Sequence, residues 1–396
     1  MQLTSVDKAF ELVLTNTLSF GYETIDFQES EGRVLAENIT ADRDFPPFDR
    51  VTMDGIALQG DAYLNGQRLF DIENIQYAGE VQKELINKNS CIEIMTGASL
   101  PLGTDSVIRY EDITIADGKT LLKDGLSMFK NIHGKGHDRT MGEVLLPIGH
   151  PLKSADLAVL SSTGNENVRV NALPKVAIVT SGDELVAVHE TPKAHQIRKS
   201  NIYAISSLLK PYAANIQHFH IIDDLKESID KLSAICQNFD VLVLSGGVSA
   251  GKKDYLPEAL EAIGVKKLFH KIAQRPGKPM WFGRKENLIA FALPGNPVSS
   301  FMCAIRYVLP WLKKSIGING VEETAILAQD VIFKPTLSYF MQVKLLQVKG
   351  VLKAYPFEGS GSGDLANLSL SDAFLELENQ DSEVYLAGET YRFWRF

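Results

Sequence analysis

Short apolar runs, each ending in a polar turn rich in glycine or acid, recur along the second half of the chain. Val241-Leu242-Val243-Leu244 is the clearest, with the pattern of a strand buried on both faces of a parallel sheet. It runs into Ser245-Gly246-Gly247, then Ser249 and Asp254, ahead of an amphipathic helix over 256–263. The pattern returns at 175–179, ending in Thr180-Ser181-Gly182-Asp183-Glu184, and at 216–222, ending in Asp223-Asp224. It returns again at 287–293, ending in Pro294-Gly295-Asn296-Pro297. Helical stretches over 201–213, 224–237 and 297–316 alternate with these strands, and 266–272 reads as another strand. Strands alternating with helices predict a three-layer α/β domain with a largely parallel sheet.

The first half reads differently. Ser5 caps a predicted helix over 6–20, followed by short alternating segments at 23–27 and 33–39. Strand-like segments at 55–59, 68–75, 91–95, 106–113 and 119–129, separated by turn residues, predict a small β domain. A helix over 154–162 and a strand over 167–170 lead to the α/β region. Beyond 320 the chain is strand-like again, which predicts a compact C-terminal β domain.

At 396 residues the chain exceeds what one hydrophobic core usually serves, so two to four domains are expected. A composition with 45% hydrophobic and 22% charged residues is ordinary for a globular protein. The net charge of −9 argues against non-specific nucleic-acid binding and requires any anionic ligand to be held by a local basic cluster. Cys91, Cys236 and Cys303, far apart and odd in number, fit reduced thiols. There is no CxxC pair, and the histidines, including His137, His218, His220 and His270, are read as lacking metal spacing, so zinc is not expected. Neither a leader-like N-terminus nor an apolar run of membrane-spanning length is present, which predicts a cytoplasmic protein without a membrane partner.

Candidate chemistry gathers where the strands end, the edge at which open α/β sheets bind ligands. Gly246 and Gly247 can bend sharply and expose bare backbone N–H groups. Pro297 suits the first helical position, leaving Gly295 and Asn296 at the positive helix end. The acids Asp183, Glu184, Asp223, Asp224 and Asp254 fall on the same rim; taken singly, each is more often a helix cap or a solvated charge, but their return at matching positions favours oxygen ligands for Mg²⁺. Arg275 and Lys278, in the rigid Arg275-Pro276-Gly277-Lys278-Pro279 turn, and nearby Lys271 can hold a phosphate or an oxyanion. These residues point to phosphates, a metal and an oxyanion, and leave the substrate open.

Together with Thr52-Met53-Asp54-Gly55 and Met95-Thr96-Gly97-Ala98, these loops occur in an order that resembles the MoeA family of molybdopterin molybdenumtransferases, which includes the E domains of gephyrin and its plant counterpart. The resemblance covers essentially the whole chain. It implies a homodimer of elongated four-domain subunits: a segmented mixed domain (1–51 and 139–172), a β domain (52–138), a molybdopterin-binding-like α/β domain (173–318) and a barrel-like β domain (319–396). It implies insertion of molybdate into adenylylated molybdopterin, releasing AMP and forming molybdenum cofactor, with Mg²⁺ or a similar ion. A molybdopterin adenylyltransferase and molybdoenzyme acceptors are the implied protein partners. Carried over by motif, Asp54, Asp138, Glu184, Asp224 and Asp254 are catalytic, with Asp224 and Asp254 on the metal. Substrate binding falls to Thr96, Ser245, Gly246, Gly247, Ser249, Lys271, Arg275, Lys278, Gly295, Asn296, Pro297 and Ser362. Gln342 stands where some members carry a molybdate-binding Arg. An adenylyltransferase activity and a non-catalytic, gephyrin-like scaffold are the alternatives; the Ser-Gly-Gly-Val-Ser loop and the retained acids disfavour them.

Overall fold

The structure, a computed structural model, describes residues 3–248, 255–357, 359 and 361–396. Ser249 and Asp254 therefore lie outside the described residues. The chain forms two compact units. One comprises the chain up to Thr24, Gly32–Val34 and Arg169–Phe396; the other comprises Ile25–Glu31 and Leu35–Val168.

In the first unit, helix α1 (Val6–Thr15) has its N-terminus capped by Ser5. It buries Ala9 and Val13 in the core of the α/β region, and the Trp311 indole donates to the Asn16 carbonyl at 2.9 Å. The α/β region follows as β1 (Lys175–Ser181), α2 (Asn201–Leu209), β2 (Asn215–Ile221), α3 (Leu225–Cys236), β3 (Val241–Ser245), α4 (Leu256–Ala262), β4 (Lys266–His270), β5 (Trp281–Lys285), β6 (Leu288–Leu293), α5 (Pro297–Cys303) and α6 (Leu309–Ser315).

The sheet order is β2-β1-β3-β6-β5-β4. Pairings among β2, β1, β3 and β6 are parallel, and β5 and β4 add an antiparallel edge. Side chains alternate across each strand. Val176, Ile178, Val241 and Val243 face the core shared with α2 and α5, while Ala177, Val179, Leu242 and Leu244 face the core under α3 and α4. This is the three-layer arrangement the pattern predicts.

Two elements differ from expectation. Strand β5 lies where the sequence reads as the end of a turn, because Gly283 interrupts its apolar run. In the fold the Trp281 ring covers that glycine, where a Cβ would come within 2.3 Å of it. The single helix expected over 297–316 is instead α5 and α6 joined by a π-helical turn, Ala304–Val308.

The C-terminal strands β7 (Glu323–Leu327), β8 (Ser338–Val348), β9 (Val351–Pro356), β10 (Ala373–Leu377) and β11 (Thr390–Arg395) pair in the order β8-β9-β7-β11-β10. Antiparallel pairing of β10 back to β8 closes the ring into a five-strand barrel. Gln274–Arg275 adds a short parallel pairing to β8, with Arg275 opposite Tyr339.

The second unit is built on a six-strand sheet. Gly55–Leu58 lies between Ser106–Arg109 and Ser90–Ile94, both antiparallel to it. Helix Ser154–Ser162 belongs to the same unit. Among the described residues, no helix is long and apolar enough to cross a membrane.

Candidate functional site

A cavity of about 900 Å³ opens at the carboxyl ends of the parallel strands, within the first unit. That volume suits a drug-sized or nucleotide-sized ligand. Three parts of the chain wall it: the strand-end loops, the 274–279 turn, and the barrel face carrying Tyr339, Gln342 and Phe357.

Ser245, Gly246 and Gly247 form one wall. Gly246 has φ +99°, and a Cβ there would sit 2.7 Å from the Ser181 carbonyl oxygen, so only glycine allows this turn to lie against β1. Gly295, Asn296 and Pro297 form the adjoining wall. Asn201, at the start of α2, ties the two together: its Nδ2 donates to Ser245 Oγ and to the Gly295 carbonyl, each at 2.8 Å. Asn296 Nδ2 donates to Ser362 Oγ at 2.8 Å, which brings the C-terminal Gly-Ser loop to the same rim.

The basic turn is held from below by Gln274. This fully buried side chain accepts from Tyr307 Oη at 2.5 Å and donates to the Gly277 carbonyl at 3.2 Å. Arg275 and Lys278 are thereby presented to the cavity, joined by Lys199 from the loop before α2. Among the described residues these three cations have no acidic partner. Lys271 does not line the cavity; its backbone pairs with Met280 and Thr4.

Of the rim acids, Glu184 and Asp223 line the cavity. Ser181 Oγ donates to Asp223 Oδ1 at 2.9 Å. Asp224, the acid expected on a metal, is turned away: its carboxylate caps α3 by accepting from the Glu227 N–H at 2.8 Å, and it is not part of the lining. After β2, the second acid of the Asp223-Asp224 pair falls at the N-cap of α3 and the first lines the cavity. That one-residue phase is the signal that could have picked Asp223.

The second unit brings Asp54 and Thr96 together, the Thr96 N–H donating to Asp54 Oδ1 at 2.5 Å. That backbone hydrogen bond is the main cause holding the Asp54 carboxyl below its ordinary pKa. Asp138 sits 2.9 Å from His133 Nε2 and 3.4 Å from His137 Nδ1. The absence of metal spacing among the histidines does not hold in the fold: His133 and His137 are four residues apart and meet Asp138.

A doubly wound α/β domain with glycine loops at its strand ends, and cations there that have no acidic partner among the described residues, defines a ligand-binding domain of the open-sheet class. Residues 4–164 match the family described as MoeA N-terminal region (domain I and II), 177–314 a probable molybdopterin binding domain, and 324–396 the MoeA C-terminal region (domain IV). The chain is 39% identical over 396 residues to a molybdopterin molybdenumtransferase of Synechocystis, covering 98% of this chain and 99% of the relative. It is 30% identical over 393 residues to one of Staphylococcus aureus, covering 97% and 94%. Its fold is similar to the molybdopterin biosynthesis MoeA protein of Pyrococcus horikosii, with a TM-score of 0.84 and 28% identity over 100% of this chain and 99% of that one. The chain belongs to the MoeA family of molybdopterin molybdenumtransferases.

Proposed function

We propose that this enzyme of molybdenum cofactor biosynthesis inserts molybdate into adenylylated molybdopterin, releasing AMP. The observation that carries the reading is one cavity lined together by Lys199, Arg275 and Lys278, by Glu184 and Asp223, and by the Gly246–Gly247 turn. Substrate pyrophosphate and molybdate are both anions. In a chain of net charge −9, three cations without acidic partners among the described residues supply the local attraction. Arg275 suits bidentate contact with a phosphate or oxyanion, and the lysines act as point charges. The Gly246 and Gly247 loop lets the ligand approach the backbone closely. No covalent protein intermediate is needed, so positioning and charge stabilisation provide the catalysis.

Mg²⁺ fits this set, because it binds through one or two carboxylates and completes its shell with water and phosphate oxygens. Asp223 and Glu184 are the described carboxylates that would hold it, and the bound ion would neutralise the pyrophosphate and polarise phosphorus. The same reading gives Asp54, Thr96 and Asp138 a part in substrate handling within a cytoplasmic homodimer. It also gives the enzyme an adenylyltransferase as supplier and molybdoenzymes as acceptors.

The test is AMP release from adenylylated molybdopterin with and without molybdate. Release that depends on molybdate is expected. Equal release in its absence, or none in its presence, would sink the proposal.

A further inference from the structure

The transferase reading uses Asp138 as a lone carboxylate and leaves His133 and His137 without a task. Yet their three ligand atoms converge. His133 Nε2 lies 2.9 Å from Asp138 Oδ1 and 3.2 Å from His137 Nδ1, and His137 Nδ1 lies 3.4 Å from Asp138 Oδ1. An ion bound at about 2.0–2.1 Å with tetrahedral angles places its ligand atoms about 3.3 Å apart. The cluster already has that spacing, so one ion can satisfy all three atoms with only small side-chain shifts.

The backbone holds the cluster in place. His133 is paired in a two-strand ladder opposite Arg50. The His137 N–H donates to the Gly134 carbonyl at 3.1 Å, closing a turn in which Gly136 takes φ +71°, the sign that a type II turn requires at its third position. Gly136 N–H donates to the Pro46 carbonyl and Asp138 N–H to the Phe45 carbonyl, each at 2.9 Å, and the Lys135 N–H donates to Asp49 Oδ1 at 2.8 Å. The neighbouring segment thus fixes the loop before any ion arrives, which limits the ordering cost of binding.

We propose that His133, His137 and Asp138 form a site for a divalent ion of the zinc class, with a further position open to solvent. Two imidazoles and one carboxylate form a borderline donor set that favours Zn²⁺ or a similar first-row ion over Mg²⁺, which prefers oxygen. Three protein ligands with an accessible fourth position is the arrangement of zinc sites that bind water or a ligand oxygen. The side chains of His137 and Asp138 are 72% and 52% exposed, which leaves that position accessible.

One group opposes the ion. A guanidinium nitrogen of Arg50 sits 3.3 Å from His133 Nδ1. Arginine can only donate, so this contact makes Nδ1 the acceptor and places the ring proton on Nε2, pointing at Asp138. When the ion takes Nε2, that proton moves to Nδ1 and Arg50 must withdraw. Removing Arg50 therefore favours binding.

The test is titration of the tag-free, full-length protein with Zn²⁺ by calorimetry, and with Co²⁺ by visible absorption. One ion per chain bound at this site is expected, resistant to excess Mg²⁺, with the ligand-field bands of a low-coordinate Co²⁺ site. His137→Ala, an exposed position that the fold does not need, should weaken Zn²⁺ binding more than about tenfold, the scale on which even outer-sphere partners of metal ligands act. Arg50→Ala should tighten it. Zn²⁺ binding as tight in His133→Ala and in His137→Ala as in the unsubstituted protein would place the ion elsewhere and overturn the assignment, as would no binding by the unsubstituted protein. A failed AMP-release assay leaves this outcome unaffected, since the readout is the ion itself.

Discussion

Arg306 and Glu376 form an ion pair sealed from water, with Nε and Oε2 3.1 Å apart and side chains 0% and 1% exposed. It links the π-helical turn after α5 to barrel strand β10. The Trp394 indole donates to Glu376 Oε2 at 2.6 Å, and the guanidinium lies over the rings of Phe10 and Trp394 at 3.9 and 4.3 Å. Among the described residues Arg306 Nη1 has no hydrogen-bond partner, and Nε, though 3.1 Å from Glu376 Oε2, makes no hydrogen bond. The rings therefore compensate part of the desolvation. Removing one member strands a buried charge, so Glu376→Ala should lower stability by about 3–5 kcal/mol. Adding Arg306→Met should recover part of that loss. Urea unfolding followed by tryptophan fluorescence reports on this unit, since Trp281, Trp311 and Trp394 all belong to it. A single-variant loss below about 1 kcal/mol, the scale of an exposed pair, would show that the stranded charge finds water.

Asp223 and Asp224 should separate function from stability. Asp223 lines the cavity, so Asp223→Ala should abolish molybdate-dependent AMP release while leaving the unfolding midpoint almost unchanged. Asp224 caps α3, so Asp224→Ala should cost about 1 kcal/mol of stability and reduce turnover far less. The reverse result in the activity assay would restore Asp224 as the acid facing the ligand.

Asn201 is a positioning residue on the proposed reading, because it bridges the Ser245 and Gly295 loops without being an acid or a base. Asn201→Ala removes two hydrogen bonds, together worth about 2 kcal/mol. Loss of loop order should appear as a rise in KM for adenylylated molybdopterin of about tenfold or more. Asn201→Asp, which cannot donate to the Gly295 carbonyl, should behave like the alanine variant. Full activity in both would show that the two loops hold their positions without it.

The parallel strands were legible in the sequence because their β-branched and aliphatic runs, such as Val176 to Val179, are apolar on both faces. The ligand edge was legible because glycine and acid recur at each strand end. The barrel was expected only from the family resemblance, since its closure depends on β8 pairing with β10 across a long sequence interval, and strand pattern alone does not choose partners. Strand β5 was hidden by Gly283, whose reason is the ring of Trp281 two residues away. The 304–308 π-turn left no local mark, as its residues suit an ordinary helix. The meeting of His133, His137 and Asp138 was not legible, because it is made by a turn hydrogen-bonded to Phe45 and Pro46 rather than by a helix or strand.

The histidines of the α/β unit give the chain a predictable acid sensitivity. His220 has its pKa lowered from the ordinary 6.5, first by desolvation and then by the charges of Lys199 and Lys231; the Thr180 contact and Asp183 partly oppose this. His218 and His270 are lowered as well, again chiefly by desolvation. A histidine held neutral in the fold binds fewer protons than it does in the unfolded chain once the pH falls below 6.5. By linkage, stability then falls as the pH drops from 6.5 toward the folded values, and it is insensitive to these groups at higher pH. The urea midpoint should therefore be lower at pH 5.5 than at pH 7.5, before carboxylate protonation contributes. Replacing His218, His220 and His270 together with glutamine should flatten that slope. An unchanged slope would show that these imidazoles charge as freely in the fold as in the unfolded chain, and that acid sensitivity arises elsewhere.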